Sequence, residues 1–309
     1  MSCVVRFVKH LAGMTRPMPV RPNTTYMESR RCSEGRLFLK PSKTSKQIYE
    51  YVLALAAQKY RVELHGFVAE SNHDHVISTD TKGNHPAFRQ LKNSLIARAM
   101  NVHLNHSRAF WASTDREVVE LVDEGAQVEA YAYTLANPVK DGLVMYGYQW
   151  PGPRSQPRDF SRSRVIKRPH VFFSDKLPEE VMLTLTPPPC LAHMSVELAA
   201  HHLTEAVAAE ETKHRQERAA AGLGFLGRRA VRKQHAFDRP TSEPGFHQLN
   251  PRIKCVDITL RKEAIEALKG FWKSYAFARE QHLRGHCAAN FPEGTYAFRQ
   301  GLDIPCAAT

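Results

Sequence analysis

Residues 61–79 carry the pattern that most narrows the folds open to this chain. From Arg61 to Ala69 the side chains alternate, with Val62, Leu64, Gly66 and Val68 on one side and Glu63, His65, Phe67 and Ala69 on the other. A period of two is that of a β-strand, whose successive side chains point to opposite faces. Asn72 marks a tight turn, and His73 to Thr79 returns as the paired strand. An isolated hairpin is marginal in water, so other elements have to cover it.

The flanking sequence supplies them. From Ser42 to Tyr60, Ile48, Val52, Leu55 and Ala56 recur at helical spacing behind a Ser42 or Ser45 cap. A second helix is expected over Pro86–Asn105, with Phe88, Leu91, Leu95, Ala99 and Val102 as its apolar stripe and Arg89, Lys92 and Arg98 outside it. Thr24–Arg31 reads as extended, followed by a turn at Gly35 and a short strand, Leu37–Leu39. A third helix should run from Glu124 to Ala136 and stop before Asn137-Pro138, because proline disfavours helical geometry in the residue before it. Leu143–Tyr146 is expected as a last short strand. Short antiparallel strands with packed helices point to an α+β, ferredoxin-like core over residues 24–150.

Around that core, residues 1–23 form an irregular arm broken by Pro17, Pro19 and Pro22, with Met14 offering a later start. Trp150 to His170 is rich in Pro, Arg and Ser, and residues 151–170 read as a linker or arginine-bearing strap. Residues 171–309 read as a basic, mostly helical region with helices over Glu197–Ala221 and Arg261–Gln281. The 43 Lys and Arg against 31 Asp and Glu give a net charge of +12, a field that draws polyanions. The six cysteines, at 3, 32, 190, 255, 287 and 306, show no metal-ligand spacing, so reduced thiols in a cytoplasm are expected. No apolar run reaches the length needed to span a bilayer, and a soluble protein is expected.

On a strand His73 and His75 emerge on the same face, roughly 6–7 Å apart, while Asp74 points the other way. Two imidazoles so placed can chelate one divalent ion. In a chain with 16 histidines such a pair also arises by chance, as two half-exposed strand residues. Tyr133 and Asn137 lie four apart on one helix face, so a phenol and an amide oxygen project together. A packed aromatic is the alternative for Tyr133. Phe110, Trp111 and Trp150 either stack bases or belong to the core. Arg228, Arg229, Arg232 and Lys233 either grip phosphates or form a solvated face, with equal weight. Gly222-Leu-Gly224-Phe-Leu-Gly227 follows a charged helical run rather than a strand, and reads as a helix cap and loop rather than a dinucleotide site. His282 and His286, near Cys287, read as solvated surface.

The residues Val62 to Ile77, above all His65-Gly66-Phe67-Val68 and Ser71-Asn72-His73-Asp74-His75, resemble the histidine-bearing strand pair of the single-tyrosine HUH transposases of the insertion sequence 200-like type. The REP-associated tyrosine transposases are the most similar branch. Tyr133-Thr134-Leu135-Ala136-Asn137-Pro138-Val139 resembles that family's nucleophile segment. Arg16-Pro17 and Ser29-Arg30-Arg31 are similar more loosely, and the resemblance spans about residues 14–153. Glu70 departs from it, standing where the family has an apolar residue.

The resemblance implies an HUH endonuclease core and a metal-dependent endonuclease and strand transferase for single-stranded DNA with hairpin or palindromic ends. It further implies Mg²⁺ or Mn²⁺ held by His73, His75 and the Asn137 oxygen, and Tyr133 as the nucleophile that forms a 5′-phosphotyrosine link. Basic residues expected along the DNA are Arg30, Arg31, Lys92, Arg98 and Lys140. A monomer or homodimer in a bacterial cytoplasm, associated with the nucleoid, fits this reading. The alternatives are a DNA-binding regulator of the same fold without turnover, and a replication or mobilisation initiator.

Overall fold

Ser42 opens the first helix, α1 (Lys43–Tyr60), through a capping box in which its side chain accepts from the Ser45 backbone N–H while the Ser45 hydroxyl accepts from the Ser42 N–H. Arg61, in the left-handed region at φ 54°, ends it. The computed structural model describes residues 16–240, 252–286 and 289–296, and the side chains of residues 114–116 lie outside it. Met14, the start of the N-terminal arm and Cys287 fall outside these residues.

The protein is a mixed α/β structure with a mostly antiparallel sheet and several helices. β1 (Thr24–Cys32) leads to α1, and then to the hairpin of β2 (Val62–Ala69) and β3 (His73–Asp80). α2 (His85–His103), β4 (Trp111–Leu121) and α3 (Glu124–Lys140) follow. The strand order is β2-β3-β1-β4, all antiparallel, with a short β7 (Ile253–Lys254) parallel to β4 at the far edge. α1 and α2 cover one face, and α3 lies across the other.

The hairpin differs from its predicted alternation. Leu64 pairs with Ser78, but Gly66 pairs with Ile77, leaving His65 as the extra residue of a β-bulge. The parity of β2 therefore switches at His65. Val62 and Leu64 face α1, whereas Gly66 and Val68 share the face of His73 and His75. The His65 ring is fixed by Thr79 Oγ1 at 2.8 Å and the Thr186 carbonyl at 3.0 Å.

Three local expectations are corrected, and one strand, β4, is added. Leu37–Leu39 is a turn, not a strand, because its groups bond to separate partners: Leu37 N–H to the Asp238 carbonyl and Leu39 N–H to that of Ser71. Leu143–Tyr146 is no strand either, since the N–H groups of Leu143 and Val144 both return to the Pro138 carbonyl. α3 runs through Pro138 to Lys140. A proline in the last turn forfeits only its own bond to residue 134, and the Asp141 N–H still closes on the Asn137 carbonyl at 2.9 Å. β4, masked in the sequence by Ser113-Thr114-Asp115-Arg116, pairs along most of β1.

Residues 151–170 are packed rather than a free linker. Ala69 N–H donates to the Pro153 carbonyl, and Ser155 exchanges bonds with Phe67, so this segment covers the outer edge of β2. It continues into β5 (Arg164–Lys167), paired with β6 (Glu180–Leu183). The C-terminal region adds α4 (Val196–Ala220), packed along α3, then a short α5 (Arg228–Lys233) and α6 (Ile258–Leu283). Gly222 follows α4 at φ 67°, so the glycine-rich stretch is a helix end and loop. Cys32, Cys190 and Cys255 are free thiols, and no described helix is long and apolar enough to cross a membrane.

Candidate active site

Residues directly opposite across an antiparallel ladder share a face. Arg31 stands opposite His73, and Ser29 opposite His75, so these four side chains emerge together towards α3. Arg30 and Asp74, also opposite each other, emerge on the α1–α2 side. The two His rings lie 5.0 Å apart between centroids and perpendicular.

α3 crosses the His73 and His75 side chains closely because β2 carries no side chain where the helix presses hardest. A Cβ at Gly66 would sit 2.9 Å from Tyr131 Cε2, closer than such atoms approach. Tyr131 points into the core and is fully buried. Tyr133, half-buried, faces the His pair, with its ring 5.6 Å from that of His75. Continuation of α3 through Pro138 keeps Asn137 one turn from Tyr133, and the Asn137 amide lies 3.2 Å from His75 Nε2. Two turns along the same stripe, Lys140 Nζ donates to the Tyr133 hydroxyl at 2.8 Å.

His73 Nδ1 lies 2.7 Å from Asn72 Oδ1, an oxygen that only accepts, so Nδ1 carries the proton and Nε2 keeps a lone pair. Burial lowers the His73 pKa, partly opposed by Asp141. Burial, and then the neighbouring His73 and Lys140, hold that of His75 well below the usual range. Both rings are therefore neutral near pH 7, the form that ligates a metal.

The surroundings fit a divalent cation. Among the described residues, Asn137 Oδ1 and Glu70 Oε1 are buried without a hydrogen-bond partner. The Asn137 amide as placed turns its NH₂ to a His75 ring nitrogen, and rotation by half a turn would present the oxygen at the same point. A second donor set overlaps the first, since ligand atoms of Glu70, His73 and Asp141 all lie within 4.8 Å of one another. Burial, then Asp141, raises the Glu70 carboxyl well above the usual range. Imidazole nitrogens with hard oxygen donors suit Mn²⁺ or Mg²⁺.

The structure separates the basic residues expected along DNA. Arg31 lies on the face of the His pair, and Lys140 sits against Tyr133. Lys92 does not face solvent: it is fully buried on the opposite face, 2.6 Å from Glu28 and 2.8 Å from Asp74. Its long stem lets it sit among apolar neighbours while its charge answers two buried carboxylates. Arg30 and Arg98 also lie on that side, stacked on Trp111 and Phe172. Three of the five therefore stand away from the His73–Tyr133 face. Phe110 and Trp111 are core, and the buried Trp150 ties its indole N–H to the Ala69 carbonyl.

One site residue, Asp141, and one contact of an expected residue, that of Lys140 with Tyr133, escaped the sequence. Asp141 falls just past the expected helix, and only an α3 extended through Pro138 shows it one turn beyond Asn137. The Lys140–Tyr133 contact has a weak signal, an i, i+7 spacing on that same extended helix.

Comparison with known protein families and with curated proteins finds no match. Among solved structures, a REP-associated tyrosine transposase bound to a REP hairpin matches with a TM-score of 0.41 and 17% identity, over 48% of this chain and 86% of that chain.

Proposed function

We propose that this chain is a metal-dependent nuclease and strand transferase for single-stranded or hairpin DNA, with Tyr133 as nucleophile and a ferredoxin-like HUH core. The β-α-β-β-α-β order with strands arranged β2-β3-β1-β4 supports that core. The observation that carries the reading is the meeting of Tyr133, Asn137, His73 and His75 on one face, from two elements remote in sequence.

His73, His75 and the Asn137 oxygen would hold Mg²⁺ or Mn²⁺, with Glu70 and Asp141 as further oxygen donors. A bound divalent ion supplies charge neutralisation at a phosphate. Tyr133 Oη attacks phosphorus, forming an O–P bond as the P–O3′ bond breaks. Net, the phenolic proton is lost and the departing 3′-oxygen gains one. The Lys140 ammonium, already donating to Tyr133, favours negative charge on that oxygen as the proton leaves. Arg31 adds positive charge on the same face. The product conserves the phosphodiester's energy in a tyrosyl ester, so the strand can be rejoined. The set lies within one chain, which favours a site complete in a monomer.

The test is incubation with Mn²⁺ and labelled hairpin oligonucleotides, followed by denaturing electrophoresis. A protein–DNA adduct that disappears in Tyr133→Phe is expected. Absence of any adduct across a broad oligonucleotide panel, or its persistence in Tyr133→Phe, overturns the assignment.

A further inference from the structure

The turn between β2 and β3 is held from two sides. Leu39 N–H donates to the Ser71 carbonyl at 2.9 Å, and Leu39 leads through Pro41 to Ser42, the cap of α1. The Ser71 hydroxyl lies 3.4 Å from Gln234, the residue that ends α5. Between these attachments lies a cleft of about 430 Å³, with Lys43 and Lys46 of α1 on one wall, Arg228 and Arg232 of α5 on the other, and Trp150 with Pro151 beside them.

α5 is built to present those arginines. Val231 is its buried anchor, packed with Val68, Val144 and Trp150, and Arg228 and Arg232 are four apart, so both project from one side of the helix. Both are exposed, as is Lys43, and Lys46 is half-buried. Among the described residues no acidic side chain lines the cleft. Among the described residues no carboxylate lies within ion-pair distance of Lys43, Arg228 or Arg232, and Lys46 meets Glu50 only at 3.9 Å. Four like charges facing one space, with their own ion pairs mostly forgone, are a cost that a bound polyanion offsets. A second cavity, of about 680 Å³, shares Lys43 and Lys46, but Glu50, Asp175 and Glu179 line it too, so the first cleft is the stronger anion site.

We propose that this cleft grips the phosphodiester backbone of the DNA strand that runs to the Tyr133 site, and that α5 supplies one wall of it. The inference rests on the nuclease reading for what the strand is. Trp150 is too buried to offer a ring face, so the grip is on phosphates and independent of sequence. Its place follows from the attachments, since Leu39, four residues before Lys43, and Gln234, two residues after Arg232, both bond to Ser71, two residues before His73.

Backbone contacts show in salt dependence. In the Tyr133→Phe background, K43Q/K46Q/R228Q/R232Q should bind a fluorescent hairpin oligonucleotide ~10–100-fold more weakly near ~100 mM salt, with the log–log salt slope shallower by about 2–3. A control of equal charge change on α6, R261Q/K262Q/K269Q/K273Q, should keep the slope within about 1 of the parent. K43R/K46R/R228K/R232K should restore binding. The doubles K43Q/K46Q and R228Q/R232Q each give about half the slope change and carry the test should the quadruple not fold. An unchanged slope in the cleft variants, or equal changes in cleft and control variants, overturns the proposal. With Tyr133 intact, an adduct alongside an unchanged slope removes the cleft and leaves the nuclease. A cleft-dependent slope without any adduct does the reverse, and absence of DNA binding removes both.

Discussion

Lys140 Nζ lies 2.8 Å from the Tyr133 hydroxyl and 4.5 Å from the centre of the same ring. Burial works against the Lys140 charge, but Tyr133, Asp141 and Glu70 outweigh it and raise the ammonium's pKa, so the cation persists at neutral pH. Lys140→Met should slow single-turnover adduct formation by ~10²–10³-fold, the range for losing one charge-stabilising donor. DNA affinity should fall much less. Equal loss in affinity and in rate would show Lys140 to be a phosphate contact instead.

Metal binding should be visible without turnover. A ligand that binds only the folded state stabilises it, by about 2.7 kcal/mol at a hundred times Kd. Mn²⁺ should therefore raise the Tm of the wild type and leave that of His73→Ala/His75→Ala unmoved. Glu70→Gln separates the two overlapping donor sets. It removes a buried carboxyl that Asp141 crowds, so the metal-free Tm should rise, while the Mn²⁺-induced increment should shrink if Glu70 ligates.

Lys92 should matter for folding rather than for DNA. Burial alone would raise the Glu28 carboxyl, but Lys92 and then Arg89 outweigh it and hold its pKa down at about 2. Lys92→Met leaves Asp74 buried without its cation and Glu28 with Arg89 as its close ion-pair partner, a loss of ~3–5 kcal/mol in unfolding free energy measured with urea. Lys92→Met with Glu28→Gln and Asp74→Asn should recover much of it.

Acid should weaken the fold before carboxylates are reached. Burial lowers the pKa of His65 to about 4 and that of His85 to about 3, from the ordinary histidine value of 6.5. The unfolded chain thus takes up these protons first. The stability each contributes is complete above 6.5, and falls as pH drops through 6.5 towards the folded values, by up to about 1.4 kcal/mol per pH unit for each histidine. Glu28, depressed in the fold, adds to the loss only below 4.5. Urea titrations at pH 7 and pH 5 should show lower stability at pH 5, and His85→Gln should flatten the difference.

Gly66→Ala probes how α3 is seated. The added methyl meets the Tyr131 ring at 2.9 Å, so overpacking should cost ~1–3 kcal/mol and lift Tyr133 and Asn137 from the His pair. Adduct formation should fall more than stability explains, with Mn²⁺ affinity falling alongside.

The helices and the hairpin were legible because their periods and caps are local: Ser42 at the start of α1, alternation in β2, the apolar stripe of α2. Spacing on a shared helix placed Tyr133 beside Asn137, while their meeting with the histidines was implied only by the family resemblance. What stayed hidden depends on tertiary partners. Lys92 looks like a surface lysine until Glu28 and Asp74 are found beneath it, and β4 is polar where it pairs with β1. The cover of residues 151–155 over β2 is backbone bonding, which composition does not encode.

The bulge at His65 has one more consequence, for how this gene can change in length. Because Leu64 and Gly66 already face opposite ways and pair with adjacent residues of β3, excising His65 would leave a regular strand with every other side chain on its present face. β2 therefore holds one residue of slack. A deletion at that point is absorbed, at the loss of the bonds to Thr79 and Thr186, whereas a one-residue deletion within β3 would turn His73 or His75 away from Tyr133.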